Sequence, residues 1–301
     1  MTVDKDATYY KNAVLSVIFV CFGYAFFNIS DAVIKELGSN FHFSQILFTV
    51  YAIEFCLMAL YGWKTEGKKA FRSKKIKTIT LYSFFMISSV FCNIKALPNI
   101  QLTTFYTIIF SAPLWVALPS VFFLKDKISK ERLGAIVFGF LVIVAIFRPW
   151  NGNFDIWAVI VLFSSVLCAG TVVTLRSISS SESGAFIMMS SAFWAMLMSS
   201  FFLFGNYISP SPHEWLLFLL AGIVLTLGTL CIIHGIHKTP SIALVAPYHY
   251  TQLIWGALIG YFVFEEVPST DTMVGALLII MSGLFLIYSE HRNSKKMKNT
   301  I

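Results

Sequence analysis

The fold is decided by the apolar stretch at residues 12–33, which reads NAVLSVIFVCFGYAFFNISDAV. Its only charged side chain is Asp31. A bilayer core of about 30 Å requires roughly 20 apolar residues in an α-helix, so this stretch is long enough to cross a membrane. We therefore predict a transmembrane helix at this position.

Nine further apolar stretches follow, separated by short polar segments. Of the 301 residues, 57% are hydrophobic and 12% are charged, which is about half the charged fraction of a soluble domain. Ten membrane helices leave no room for a sizeable soluble domain, so we predict an all-α integral membrane protein. The predicted spans are residues 12–33, 43–62, 78–95, 101–124, 132–148, 155–175, 184–205, 214–236, 241–264 and 271–289.

The basic residues are distributed unevenly between the two ends of these spans. Of 22 Lys and Arg residues, all but Lys35, Lys95 and Arg148 fall on one side. Because cytoplasmic loops collect Lys and Arg, we predict that both termini are cytoplasmic. The net charge of +7 then reflects membrane orientation, and we do not expect nucleic acid as a partner. The five cysteines show no CxxC spacing, which argues against a zinc site.

The chain also contains a weak internal repeat with a nearly constant offset. Each half holds five predicted spans, and because five is odd the second half enters the membrane from the opposite side. We predict two inverted five-helix repeats, residues 1–148 and 149–301, an arrangement typical of secondary transporters. The matching segments are 97–102 (LPNIQL) with 239–244 (TPSIAL), 122–126 (FFLKD) with 262–266 (FVFEE), and Gly134-Ala135 with Gly275-Ala276.

These segments resemble the drug/metabolite transporter (DMT) superfamily, specifically its ten-helix EamA-type permeases. The proline-marked turn into the fourth and ninth spans is similar to that family's repeat signature. The resemblance implies a multi-pass metabolite transporter of the bacterial inner membrane. Within the family, residues 30–35 (SDAVIK) and 246–250 (APYHY) resemble the branch that takes up S-adenosylmethionine. Members of that branch tend to have an arginine where this chain has His249.

Ionisable residues inside spans are costly to bury and usually face a cavity or a partner. Asp31, near the outer end of the first span, is either an interfacial anchor or a ligand for a cation or proton. Glu54, halfway along the second span, would carry a proton across the membrane, pair with a cationic substrate, or form a structural hydrogen bond to another helix. Asn93 would contact substrate or form a hydrogen bond between helices.

The ninth span carries a polar cluster directly after Pro247, which removes a backbone donor and frees nearby carbonyl groups. Irregular polar backbone at membrane depth is tolerated where it borders a cavity. Aromatic residues of the fourth and ninth spans would stack on a planar ring of the substrate. The candidates for substrate binding or coupling are Asp31, Glu54, Asn93, Tyr106, Trp115, Tyr248, His249, Tyr250, Gln252 and Trp255, with Pro113 and Pro247 as hinges.

We expect secondary active transport of a small polar or cationic metabolite by alternating access, with uptake of S-adenosylmethionine as the leading possibility. Export of amino acids or related metabolites, and uptake of riboflavin, are the alternatives. An intramembrane enzyme is disfavoured because no GxSxG or HExxH motif occurs. The expected partners are a small-molecule substrate, the lipid bilayer, and protons or a counter-transported metabolite. We expect no cofactor and no metal, and either a monomer or a homodimer.

Overall fold

The computed structural model describes residues 2–115, 155–178, 182–238 and 246–298, together with positions 134, 137–138, 141–142 and 145. Every regular element in these residues is helical, and the described helices fall in nine of the ten predicted spans; in the span 132–148 only the six isolated positions above are described, and they are helical. The helices are α1 (Thr2–Leu37), α2 (Phe43–Glu66), α3 (Ile76–Ala96), α4 (Leu102–Ile109), α5 (Ala112–Trp115), α6 (Ile156–Ile178), α7 (Gly184–Leu203), α8 (Pro212–Lys238), α9 (Thr251–Phe264) and α10 (Thr270–Lys298). Short 3₁₀ turns cover Gly67–Phe71, Leu97–Asn99 and Ala246–Tyr250.

The molecule exposes many large apolar side chains and buries several polar ones within an apolar core. Among the described residues, six helices (α1, α2, α3, α6, α7 and α8) contain segments long and apolar enough to cross a membrane. Phe201 and Phe262 are 72% and 75% exposed, whereas Asn28 and Glu54 are 1% and 2% exposed. Large apolar side chains on the outside form a surface that lipid stabilises and water does not. The all-α membrane fold predicted from the sequence is confirmed.

The fourth span is interrupted, which corrects the prediction of one continuous helix over residues 101–124. Helix α4 ends at Ile109, and the Ser111 N–H bonds the Ile108 carbonyl instead of continuing the regular pattern. Helix α5 begins at Ala112, and Pro113 is its second residue. Because proline has no N–H, it cannot donate to the carbonyl of Ile109. Residues 116–124 lie outside the described part of the chain.

The two halves pack on each other through three pairs of long helices, α1 with α8, α2 with α7, and α3 with α6. The α1–α8 pair is antiparallel. Ser30 donates to the Ala221 carbonyl at 3.1 Å near one end of the pair. Val20 packs against Gly235 towards the other end, where an added Cβ on the glycine would collide with the valine side chain.

The second half is inverted relative to the first. Helices α1, α2 and α3 alternate in direction because short connections join successive spans, so α3 runs parallel to α1. Helix α6 is antiparallel to α3, because Lys75 at the start of α3 donates to the Ser177 carbonyl at the end of α6. Ser89 and Ser164 meet midway along the same pair, at 2.8 Å. Helix α6, the first of the second half, therefore runs opposite to α1.

The helix pairs are also arranged as a two-fold axis in the membrane plane would relate them. Such an axis, which relates α1 to α6 and α3 to α8, exchanges the pair α1–α8 with the pair α6–α3. It leaves α2 and α7 facing each other across the axis. The described contacts thus agree with the inverted-repeat architecture in which secondary transporters hold substrate between their two halves.

Candidate substrate site

The second half of α1 carries a carboxylate that is held by a tyrosine from α4. The Tyr106 hydroxyl donates to Asp31 Oδ2 at 2.6 Å, and the tyrosine is only 1% exposed. Its ring lies directly on Gly256 of α9, where any added Cβ would collide with ring carbons. Glycine at this position is what allows α9 to approach, so Asp31 lies where α1, α4 and α9 meet.

Aromatic rings from three elements surround this junction, and we name Tyr24, Tyr106, Phe110, His249 and Tyr250 the aromatic cluster. Tyr24 stacks on His249 with ring centroids 4.7 Å apart and an interplanar angle of 15°. Phe110 meets the other rings edge-on or tilted, at 4.9 Å from His249 and 5.4 Å from Tyr250. Tyr106 completes the cluster 6.3 Å from Phe110. The structure thereby brings together four residues that the sequence nominated separately, namely Asp31, Tyr106, His249 and Tyr250.

Irregular backbone borders the aromatic cluster on both sides. Phe110 occupies the turn between α4 and α5, and His249 and Tyr250 lie in the 3₁₀ turn Ala246–Tyr250 that precedes α9. The proposed hinge Pro247 lies in this 3₁₀ turn, and Pro113 lies in α5 directly after the first break. Spans four and nine are equivalent in the two halves, so both members of this pair of spans contain irregular backbone. Their role as hinges remains a prediction.

Sequence reasoning missed Tyr24 and Asn28, which share a face of α1 with Asp31. Positions 24, 28 and 31 follow the i, i+4, i+7 spacing of one helix face, and that spacing was the available signal. The Asn28 amide nitrogen donates to the Tyr24 carbonyl at 2.9 Å. The Asn28 Oδ1 atom is buried and has no hydrogen-bond partner among the described residues.

The remaining candidates of the ninth span flank the aromatic cluster. Gln252 is 7% exposed and interacts with the His249 side chain. Trp255 Nε1 is buried without a partner among the described residues, and the same holds for the Tyr250 hydroxyl. Tyr248 is half-buried, and its carbonyl accepts a hydrogen bond from Thr251.

Two predicted site residues form hydrogen bonds between packed helices. Asn93 accepts from Ser164 of α6 at 2.6 Å, which is the helix–helix hydrogen bond considered as an alternative for this residue. Trp115 donates to Ser111 at 2.9 Å, and Ser111 in turn meets Ser165 of α6. The contacts of both residues therefore join α6 to its neighbours.

Glu54 lies in a second place, at the edge of an internal cavity. It accepts a hydrogen bond from Thr229 of α8 at 3.3 Å. The cavity has a volume of about 410 Å³ and is also lined by Phe27, Tyr82 and Leu225. Cavities of this size, mostly apolar with a few polar groups, are typical of small-molecule sites. Phe27 meets Tyr24 edge-on at 6.3 Å, so the cavity wall adjoins the aromatic cluster.

The cavity extends from Glu54 towards one end of the bundle. Glu182, between α6 and α7, and Gly184, the first residue of α7, line its far part together with Ile236 of α8. The Lys74 backbone N–H bonds the Glu182 carboxylate at 3.3 Å, which assigns this end to the basic loop after α2. We call it the Lys75 end, after the residue at the start of α3, and the opposite end the Lys35 end.

An ion pair ties the elements together at the Lys35 end. Lys35 Nζ lies 2.6 Å from Glu266 Oε1, and the two side chains are only 11% and 12% exposed. Lys35 also donates to the Ile100 carbonyl, and Glu266 Oε2 accepts the backbone N–H of Leu102, the first residue of α4, at 2.8 Å. The pair therefore joins α1, α4 and the α9–α10 connection. Sequence reasoning used Lys35 only for orientation and Glu266 only as a repeat match.

A vestibule of about 430 Å³ adjoins this end of the molecule. It is lined by polar residues between the spans, including His42, Lys95 and Asn99. Burial and the nearby Lys95 ammonium lower the pKa of His42 below its ordinary value. Lys95 lies over the Phe43 ring, with Nζ 5.4 Å from the ring centroid.

Two curated relatives resemble this chain over nearly their whole length. An S-adenosylmethionine uptake transporter from Rickettsia prowazekii is 24% identical over 267 residues, which covers 88% of this chain and 90% of the relative. The pseudopaline exporter CntI from Pseudomonas aeruginosa is 25% identical over 282 residues, which covers 92% of this chain and 96% of the relative.

A solved structure shares the fold, with a TM-score of 0.60 and 14% identity over 92% of this chain and 98% of that one. The model of the EamA-like transporter family matches the chain twice, over residues 14–148 and again over residues 156–289. Together these matches span almost the entire sequence, and each covers one half of the chain. The protein is therefore a member of the EamA-like transporter family, within the drug/metabolite transporter superfamily.

Proposed function

We propose that the protein takes up a small cationic metabolite by alternating access, and that S-adenosylmethionine is its substrate. The observation that carries the proposal is the Asp31 carboxylate beside the aromatic cluster. A carboxylate attracts a positive charge, and aromatic faces attract an organic cation and stack on a planar ring.

S-adenosylmethionine offers the groups that such a site would bind. Its sulfonium and ammonium groups are positive, and its adenine is planar. A relative with 88% coverage of this chain is named for uptake of this compound. The identity of 24% leaves the substrate to be tested by experiment.

Transport then uses the two ends of the bundle in turn. We place the Lys75 end in the cytoplasm, because the basic loops collect there. The Lys35 end would face outwards, where the Lys35–Glu266 pair would have to separate to admit substrate. The cavity at Glu54 would be the route of release. Glu54 would also couple transport to protons, because its carboxyl group lies in the bundle beside the cavity and would be reached from the cytoplasm.

The test is uptake of radiolabelled S-adenosylmethionine into proteoliposomes that contain purified protein. Asp31→Asn should abolish saturable uptake because it removes the charge and keeps the size of the side chain. Glu36→Gln is the matched control, since Glu36 is an exposed carboxylate on the same helix. S-adenosylhomocysteine, which lacks the sulfonium charge, should compete weakly. Full uptake by the Asp31 variant would refute cation recognition at this site, and equal competition by both compounds would refute recognition of the sulfonium.

Export is the second candidate function, favoured by the 25% identity to an exporter over 92% of this chain. Vesicles in buffer that contains S-adenosylmethionine distinguish the two directions when a proton gradient is imposed across their membrane. An uptake transporter driven by protons should accumulate substrate when the exterior is acidic. Accumulation of substrate only when the vesicle interior is the acidic side would favour export.

A further inference from the structure

Asn28 is a buried polar residue with an unused acceptor next to the Asp31 site. Its side chain is 1% exposed. The orientation of its amide is fixed by chemistry, because the nitrogen donates to the Tyr24 carbonyl and a flipped amide would put two oxygens in contact. The Oδ1 atom is thus the one left without a partner among the residues that the structure describes. A buried polar atom without a hydrogen bond costs about 1–3 kcal/mol, so its retention calls for a reason.

The free oxygen points to the place where Asp31 and Tyr106 meet α9. It lies 3.3 Å from the position that a Cβ on Gly256 would occupy, and the Tyr106 ring lies on the same glycine. Tyr106 in turn donates to Asp31. One turn of α1 separates Asn28 from Asp31, on the same face of the helix. The region around Asn28, Asp31 and Tyr106 therefore contains an amide oxygen, a carboxylate and a phenol oxygen.

We propose that Asn28 and Asp31 form one subsite that binds a primary ammonium group of the transported metabolite. An ammonium carries three N–H donors and no acceptor. Asn28 Oδ1, the Asp31 carboxylate and the lone pairs of the Tyr106 hydroxyl are three acceptors for them. The aromatic cluster then receives the remainder of the molecule. This inference rests on the proposed function and specifies which functional group the site selects.

The experiment compares ligand binding by wild-type protein and Asn28→Leu, a change that removes the acceptor at similar size. Binding of S-adenosylmethionine and of its 2-oxo analogue, in which a keto oxygen replaces the amine, would be measured by isothermal titration calorimetry in detergent. Asn28→Leu should lose about tenfold or more in affinity for the amine, as expected for a hydrogen bond to a charged donor. It should leave affinity for the 2-oxo analogue unchanged.

A second measurement separates binding from folding. Replacing an unsatisfied buried amide by an apolar side chain should leave the melting temperature of the ligand-free protein unchanged or raise it. A variant that melts lower and loses both ligands equally would make Asn28 a structural residue and overturn the subsite. Equal binding of the amine and the 2-oxo analogue by wild-type protein would overturn it as well.

The proposed substrate and the proposed subsite can fail separately. Wild-type protein that ignores S-adenosylmethionine but binds another primary amine, with the same loss in Asn28→Leu, would overturn the substrate and support the subsite. Saturable, Asp31-dependent uptake of S-adenosylmethionine without discrimination against the 2-oxo analogue would support the substrate and overturn the subsite.

Discussion

Glu266→Gln should destabilise the closed Lys35 end while preserving its shape. The substitution removes the counter-charge that lies 2.6 Å from Lys35. A glutamine oxygen can still accept the Leu102 N–H, so the start of α4 keeps its hydrogen bond. What is lost is the charge compensation of an ammonium group in a site that is nearly closed to solvent.

The size of the effect follows from the burial of the two partners. Both side chains are almost nine-tenths buried, and removing one partner of a buried ion pair costs about 3–5 kcal/mol. Lys35 retains the Ile100 carbonyl as an acceptor, so we expect the lower limit, about 3 kcal/mol. At about 1.4 kcal/mol for each factor of ten, the ratio of closed to open Lys35 ends falls roughly a hundredfold.

Thermal unfolding in detergent and labelling of an introduced cysteine provide the two measurements. Thr104→Cys, in a background without the five native cysteines, places a thiol two residues beyond Leu102, whose N–H bonds Glu266. Glu266→Gln should lower the melting temperature and increase labelling by a membrane-impermeant maleimide added from outside. Glu265→Gln is the matched control, because the neighbouring carboxylate is exposed.

A double variant tests the reasoning behind this estimate. Lys35→Gln combined with Glu266→Gln leaves no isolated charge, so it should recover most of the lost stability. If Glu266→Gln and Glu265→Gln have the same melting temperature and the same extent of labelling, the ion pair does not hold this end closed. The same conclusion follows if the double variant is no more stable than the single variant Glu266→Gln.

Two further substitutions test the interior. Glu54→Gln should make uptake independent of an imposed proton gradient while the protein still inserts in the membrane. Glu66→Gln, which alters an exposed carboxylate of the same helix, should behave as wild type; a normal gradient response in both variants would exclude Glu54 as the coupling site. Gly256→Ala should cost about 1–3 kcal/mol through overpacking and reduce uptake, because its Cβ collides with the ring beneath it. Gly134→Ala meets open space and is the control; equal melting temperatures of the two variants would contradict the close packing of α9.

The fold could be predicted from the sequence because its dominant signals are local. Lipid requires long apolar helices, and the uneven distribution of the basic loops predicts their orientation. The break after Ile109 was missed because apolar residues continue on both sides of it and only Pro113 marks it. The local hydrogen bonding of Ser111 replaces the regular helix there, and its partner was not apparent from periodicity.

The site could be predicted only as a set of unconnected residues. Asp31, Tyr106 and His249 were recognisable as polar or aromatic groups in apolar spans. Their contact depends on how closely α9 approaches α4, which a single glycine at 256 decides. The Lys35–Glu266 pair was beyond sequence reasoning for a similar reason, since its partners lie in different halves of the chain and meet only after both have folded.

The exchange of α1–α8 with α6–α3 has a consequence for energetics. If each half of the chain adopts the conformation of the other, the molecule opens at the opposite face with nearly the same set of helix contacts. The two alternatives should then be close to degenerate, and modest ligand or ion binding would be enough to shift the populations between them. A carrier of this kind is intrinsically reversible, and concentration gradients rather than the architecture determine the net direction of flow.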